Sequence, residues 1–223
     1  CRAAYEADLP IFIDAEESWI QDAIDLISYE MMAKYNRDRV IVFNTIQLYR
    51  THRLDEIKKQ KAIAESKGYK LGFKLVRGAY MEKERERAER MGYPSPIQVD
   101  KESTDRDYDL ALRYCIQHID LISICAGTHN EQSSLLLTEL MENKAVDRKD
   151  DRLWFAQLYG MSDHISFNLS NNGYNVAKYV PYGPIREVIP YLIRRAEENT
   201  SVKGQTGREL SLISSELQRR KSS

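Results

Sequence analysis

Residues 71–80 read LGFKLVRGAY: an apolar run broken by Lys74 and closed by Arg77, Gly78, Ala79 and Tyr80. A short run of this kind reads as a buried strand. Strand alternation puts Lys74, Val76, Gly78 and Tyr80 on one side. Cations on central strands are rare, so Lys74 either serves chemistry or snorkels to a rim. Five similar runs are 10–14 (PIFID), 39–47 (RVIVFNTIQ), 121–128 (LISICAGT), 153–160 (LWFAQLYG) and 176–183 (VAKYVPYG). Amphipathic helical patterns fill 18–35, 53–67, 82–91, 104–118, 130–143 and 162–171, and two more follow the last run at 185–199 and 207–220.

Strand–helix alternation predicts parallel βα units, and nearly continuous apolar runs predict strands covered on both faces. Six strands suit either an open doubly wound sheet or part of a (β/α)8 barrel. The polar residues decide for the barrel. Nearly every run ends in them: Asp14 to Glu17, Asn44 and Gln47, Arg77 and Tyr80, Thr128 to Asn130, Gln157 and Tyr159, Tyr179 and Tyr182. Barrel enzymes assemble their sites from the C-terminal ends of several strands. A doubly wound nucleotide-binding protein would need a glycine-rich turn such as GxGxxG, and none is present.

A net charge of −1 supplies no global field for nucleic acid or an anionic membrane. Three cysteines without a CxxC pair argue against a disulfide framework. No apolar run approaches a membrane span, no signal peptide is visible, and no metal-ligating histidine spacing occurs. The first residue is Cys1 in a polar stretch, which reads as a fragment entered within a helix. The chain reads as one domain, 1–223, without a linker.

Asp14 ends the first run and is expected to point into the barrel mouth with an ion-pair partner. Glu16 and Glu17 read as acidic residues at a helix N-terminus. Thr128, His129 and Asn130 form a strand-to-helix turn that suits a polar ligand or a helix cap equally well. Tyr191, Arg194, Arg195 and Glu198 share a helical face opposite the apolar stripe Ile185, Val188, Ile189, Leu192 and Ile193. Two guanidiniums beside an aromatic ring form a fork for a carboxylate or phosphate.

Taken together, DAEES (14–18), KLVRGAYMEKER (74–85), TDRDYDLA (104–111), GTHN (127–130), QLYGMSD (157–163), YVPYG (179–183) and YLIRRAEENTSV (191–202) resemble the proline dehydrogenase family. They stand in the family's order across nearly the whole chain. The resemblance implies a distorted (β/α)8 TIM barrel holding FAD over the strand C-termini, with the last helix above the barrel mouth. It implies hydride transfer from L-proline to flavin N5, giving Δ1-pyrroline-5-carboxylate, with electrons passed to a quinone. Arg194 and Arg195 would grip the substrate carboxylate, while Tyr191, Tyr179, Tyr80, Leu75 and Leu158 wall its ring. Asp14 would sit beside Tyr179 and order the pocket, and Lys74 would stabilise the reduced cofactor. FAD contacts would come from Asn44, Lys74, Val76, Gly78, Ala79, Tyr80, Lys101, Thr128, His129, Asn130, Gln157, Arg195, Glu198 and Ser201.

The family's barrel begins with two strands absent from this sequence, one carrying a lysine that pairs with the carboxylate. Two open sheet edges are therefore expected. Lys74, where some bacterial relatives have arginine, resembles the mitochondrial-type, single-function branch. The implied location is the mitochondrial matrix and inner membrane or the cytoplasmic face of a bacterial membrane, with any membrane contact peripheral. The helix at 207–220 is the best candidate for that contact, although its Leu210, Ile213 and Leu217 stripe fits packing on the barrel better. Three rivals remain. One is a hydroxyproline dehydrogenase, whose branch has a smaller residue in place of Tyr179. The second is a Schiff-base aldolase barrel using Lys74, and the third a non-catalytic barrel that binds a carboxylate.

Overall fold

A computed structural model describes residues 1–201 and 205–221, excepting the side chains of 194–210, 212 and 213. The strands are β1 (Ile11–Ile13), β2 (Val42–Gln47), β3 (Leu71–Val76), β4 (Ile122–Gly127), β5 (Leu153–Leu158) and β6 (Val176–Tyr179). They form one parallel sheet in sequence order. The helices are α1 (Arg2–Glu6), α2 (Ser18–Tyr35), α3 (Arg53–Lys67), α4 (Met81–Met91), α5 (Lys101–Gln117), α6 (Glu131–Asn143), α7 (Asp163–Asn171), α8 (Ile185–Ser201) and α9 (Gln205–Lys221).

Strand parity sorts the side chains into two layers. Val42 and Ile46, Phe73 and Leu75, Ile122 and Ile124, and Leu153 and Phe155 face outward. They pack against Met32 of α2, Ile57 of α3, Tyr108 and Leu112 of α5, and Leu137 of α6. Full burial of each large apolar side chain stabilises by about 1.5–3 kcal/mol, so this outer layer is the core.

The opposite parity faces a concave side. Lys74 Nζ, in β3, lies 6.0 Å from the centroid of Phe12 in β1 and 5.8 Å from that of Tyr179 in β6. Both edge strands therefore bend toward one point, and the sheet is a curled half-barrel, as expected of a distorted TIM barrel. The edges are β1 and β6.

Local chemistry moves several boundaries. Strand β3 ends at Val76 rather than running to Tyr80, because Gly78 adopts φ +139°. Helix α5 begins at Lys101, three residues earlier than its apolar pattern suggests. The Asp100 side chain accepts from the Ser103 N–H at 2.7 Å and caps it. Strand β2 starts only at Val42, since Asn36 Oδ1 takes the N–H groups of Ile41 and Val42 at 3.0 and 2.9 Å. No described helix is long and apolar enough to cross a membrane. Of the α9 stripe only Leu217 is described, and it is exposed, so Leu210 and Ile213 lie outside the described side chains.

Candidate active site

A cavity of about 980 Å³ opens at the C-terminal ends of the strands. That is the upper end of the usual range for small-molecule sites. Five of the six strands contribute residues of inward parity: Phe12 and Asp14 around β1, Lys74 and Val76 from β3, Cys125 and Gly127 from β4, Ala156 and Leu158 from β5, Ala177 and Tyr179 from β6. Small residues on β4 to β6 leave the floor smooth and apolar. Tyr191 of α8 borders the same cavity and pairs with Tyr179 at 5.9 Å between ring centroids. Helix α8 thus stands at the mouth.

Lys74 donates to Asp14, whose carboxylate is also 3.5 Å from Thr45 Oγ1. The ammonium lies between the Phe12 and Tyr179 rings, a position that suits a fixed positive charge. Among the described residues, four cations, Lys74, Arg77, Lys101 and Lys178, and one carboxylate, Asp14, line the cavity, with Asp105 paired to Arg77 and Lys101 and Asp163 to Lys178 behind the wall. Cationic donors at the rim suit an anionic ligand.

Arg77 organises the rim. Its guanidinium bonds Asp105, Thr128 Oγ1 at 2.8 Å and Ser133 Oγ at 3.0 Å, and stacks 4.4 Å from the Tyr108 centroid. Asp105 also accepts from Lys101. Partial burial raises the Asp105 pKa, but the Lys101 and Arg77 bonds outweigh it and leave the pKa lowered. These ties are therefore complete at neutral pH and are lost only as pH falls below the ordinary aspartate range. Thr128 Oγ1 further accepts from the Asn130 N–H at 3.0 Å, and Asn130 Oδ1 caps α6 through the Ser133 N–H at 3.1 Å. Asn130 is thus both helix cap and cavity wall. His129 borders the cavity with Nδ1 3.0 Å from Ser162 Oγ.

Gly78 leaves bare backbone at the rim. A Cβ there would stand 2.4 Å from the buried Tyr49 ring. Gly78→Ala should destabilise by about 3 kcal/mol through combined strain and overpacking. The denaturant midpoint of the full-length protein measures this.

Cys125 on the floor is no nucleophile at neutral pH, since burial pushes its thiol up to about 12. Among the described residues no cluster of three or more His, Cys, Asp or Glu is placed to hold a metal.

Twelve of the residues singled out from sequence border the cavity: Asp14, Lys74, Val76, Gly78, Lys101, Thr128, His129, Asn130, Gln157, Leu158, Tyr179 and Tyr191. Gln157 does so with its amide held by the Thr128 carbonyl at 3.2 Å and Ser166 Oγ at 2.9 Å. Two expectations are corrected by strand parity. Leu75 points outward between inward-facing Lys74 and Val76, and is fully buried against the helices. Asn44 likewise points outward, where Nδ2 donates to Asp25 Oδ1 at 2.8 Å. Ala79 and Tyr80 lie beyond the end of β3, off the cavity wall. Ala79 is exposed, and the Tyr80 hydroxyl donates to Glu16 Oε2 at 2.7 Å. Glu17, read as a helix-start acid, pairs with Lys83, which lowers its pKa. The side chains of Arg194, Arg195, Glu198 and Ser201 lie outside the description.

Sequence reading missed Arg77 as the rim organiser, although it stands inside the deciding motif. It also gave no role to Gln47. Gln47 is buried, its Nε2 donates to the Glu16 carbonyl at 3.1 Å, and its Oε1 has no protein partner.

The chain matches the family model for proline dehydrogenase over residues 1–208. It is 40% identical over 229 residues to mitochondrial proline dehydrogenase 1 of Drosophila melanogaster, covering 98% of this chain and 34% of the fly protein. It is 38% identical over 217 residues to hydroxyproline dehydrogenase of Xenopus laevis, covering 94% of this chain and 46% of that protein. The crystal structure of proline utilization A from Bdellovibrio bacteriovorus superposes with a TM-score of 0.84 at 25% identity, covering 91% of this chain and 21% of that one. The chain thus spans about a third to a half of the curated relatives it matches. A six-stranded parallel half-barrel, a cation-rich cavity at its strand ends and a family match over most of the length agree: this chain belongs to the proline dehydrogenase family.

Proposed function

We propose that the full-length protein is an FAD-dependent proline dehydrogenase, oxidising L-proline to Δ1-pyrroline-5-carboxylate and passing the electrons to a quinone. The observation that carries this reading is the Lys74–Asp14 pair set between Phe12 and Tyr179 at the cavity's centre. The cavity suits the cofactor in two ways. Its apolar floor is smooth enough for a flat ring system, and its rim carries cations for a pyrophosphate. Bound FAD would supply the two-electron acceptor.

The chain's own residues orient and stabilise. Lys74 holds a positive charge where negative charge develops, and Asp14 fixes that ammonium in place. Lys101 and His129 line the rim, with Arg77 locking the turn that carries His129. Arg194 and Arg195, in the same helix as Tyr191, are proposed to grip the substrate carboxylate. Lys74 serves as an electrostatic group in this scheme. Its pairing with a carboxylate between two aromatic rings is not the setting of a Schiff-base nucleophile.

Tyr179 is half-exposed at the end of β6 and paired with Tyr191, so it narrows the space for a substituted ring. This favours proline over hydroxyproline. Steady-state assays of the full-length protein with an artificial dye acceptor should give at least about a tenfold higher kcat/KM for L-proline than for trans-4-hydroxy-L-proline. Tyr179→Ser should narrow that ratio. The opposite preference in the unmutated protein would assign it to the hydroxyproline branch. A mitochondrial location is proposed from the fly relative's name. Access to a membrane-dissolved quinone would then require peripheral contact.

A further inference from the structure

A buried polar cluster lies behind the cavity wall, between α2, β2 and the start of α3. Asp25, 7% exposed, accepts from Arg53 Nη1 at 2.8 Å, from Asn44 Nδ2 at 2.8 Å and from Gln21 Nε2 at 2.9 Å. Gln21, Asn44 and Arg53 are themselves buried. A cluster of this kind contributes little net stability, since well-packed apolar residues of the same volume often do as well or better. Its geometry shows another use.

Asp25 is a pure acceptor when ionised, so it forces the Gln21 amide into one orientation, with Nε2 toward the carboxylate. Gln21 Oε1 must then point the other way, and it accepts from the Glu16 backbone N–H at 2.8 Å. The Glu16 carbonyl is gripped from the other side by Gln47 Nε2 at 3.1 Å. One residue in the loop between β1 and α2 is therefore held through both neighbouring peptides: the Ala15–Glu16 peptide by its N–H and the Glu16–Glu17 peptide by its carbonyl. Two residues before it stands Asp14, the carboxylate that holds Lys74 in the cavity.

We propose that Gln21, oriented by Asp25, is a positioning residue for the reaction: it fixes the Ala15–Glu16 peptide through the Glu16 N–H and thereby the place of Asp14. The proposal rests on the cavity being the active site, but the clamp itself can be read without turnover. Asn44 takes a new part here, since it belongs to the cluster that orients Gln21 rather than to the cavity wall.

Hydrogen exchange resolved to single amides in the unmutated full-length protein tests the clamp directly. The Glu16 amide should exchange at least about a hundredfold more slowly than an unprotected amide. Exchange at the unprotected rate overturns the proposal. The functional arm is a double-mutant cycle between Gln21→Met, which keeps the volume and removes both bonds, and Asp14→Asn. At a temperature where all four proteins are folded, Gln21→Met alone should lower kcat/KM for proline about tenfold. The same change in the Asp14→Asn background should cost less than about twofold. Equal losses in both backgrounds would make Gln21 merely structural and overturn the positioning role. Should Gln21→Met not fold, the double replacement Gln21→Glu with Asp25→Asn reverses the donor and acceptor between the two side chains. Activity within about threefold of the unmutated protein supports the proposal, and loss as deep as in Asp14→Asn overturns it. A protein inactive toward proline before any substitution would sink the activity reading, and amide exchange would still decide the clamp.

Discussion

Lys74→Met should slow proline-driven reduction of the bound cofactor by about 10²–10³-fold, as loss of one preorganised electrostatic group typically does. The substitution removes the only cation that stands between the Phe12 and Tyr179 rings among the described residues. It also frees the Asp14 carboxylate, which then places negative charge where the proposed reaction needs positive. Stability should change little, because the Asp14 side chain is 50% exposed and water can solvate it. Lys74→Arg keeps the charge and should retain most of the rate. Rapid-mixing absorbance under anaerobic conditions reads the effect. A Lys74→Met protein within about threefold of the unmutated rate would remove Lys74 from the mechanism.

The largest loss of stability is expected at Arg53. Arg53→Met leaves Asp25 buried without a countercharge, at a cost of about 3–5 kcal/mol and a Tm lower by roughly 10 °C. Arg53 stands in the first turn of α3, where a cation opposes the helix dipole, so its presence there depends on Asp25. Replacing both partners, as in Asp25→Leu with Arg53→Met, should cost less than Arg53→Met alone. Urea unfolding of the three variants separates these outcomes. A loss under about 1 kcal/mol for Arg53→Met would mean that water already reaches the cluster.

The parallel order of the six strands was legible because each apolar run is short and followed by a helix-length amphipathic stretch. The site's place was legible too, since the polar residues gather at the strand ends. Facing direction was not legible. All six residues of β2 are buried, so neither face carries the polar alternation that would reveal parity. That is why Asn44 read as a cavity residue although it points into the outer layer; for Leu75, in β3, the alternation with Lys74 and Val76 already pointed outward. Gln21 and Asp25 were hidden for a different reason: polar residues within a helix normally mark its solvent face, and here they mark a buried one. The end of β3 was hidden by Gly78, whose backbone conformation turns the chain while its neighbours still look like a strand. The pair Arg194 and Arg195, proposed to grip the substrate carboxylate, was legible as a motif, and its side-chain placement is not part of the described structure.

The central claim is that this half-barrel belongs to an enzyme that takes electrons from proline with a flavin. Its most direct test is the visible absorption spectrum of the purified full-length protein, recorded without oxygen before and after addition of L-proline. The account predicts flavin bands that bleach on addition of proline and return when a quinone analogue is supplied. A protein that stays colourless after incubation with FAD, or whose flavin bands ignore both proline and hydroxyproline, would contradict it.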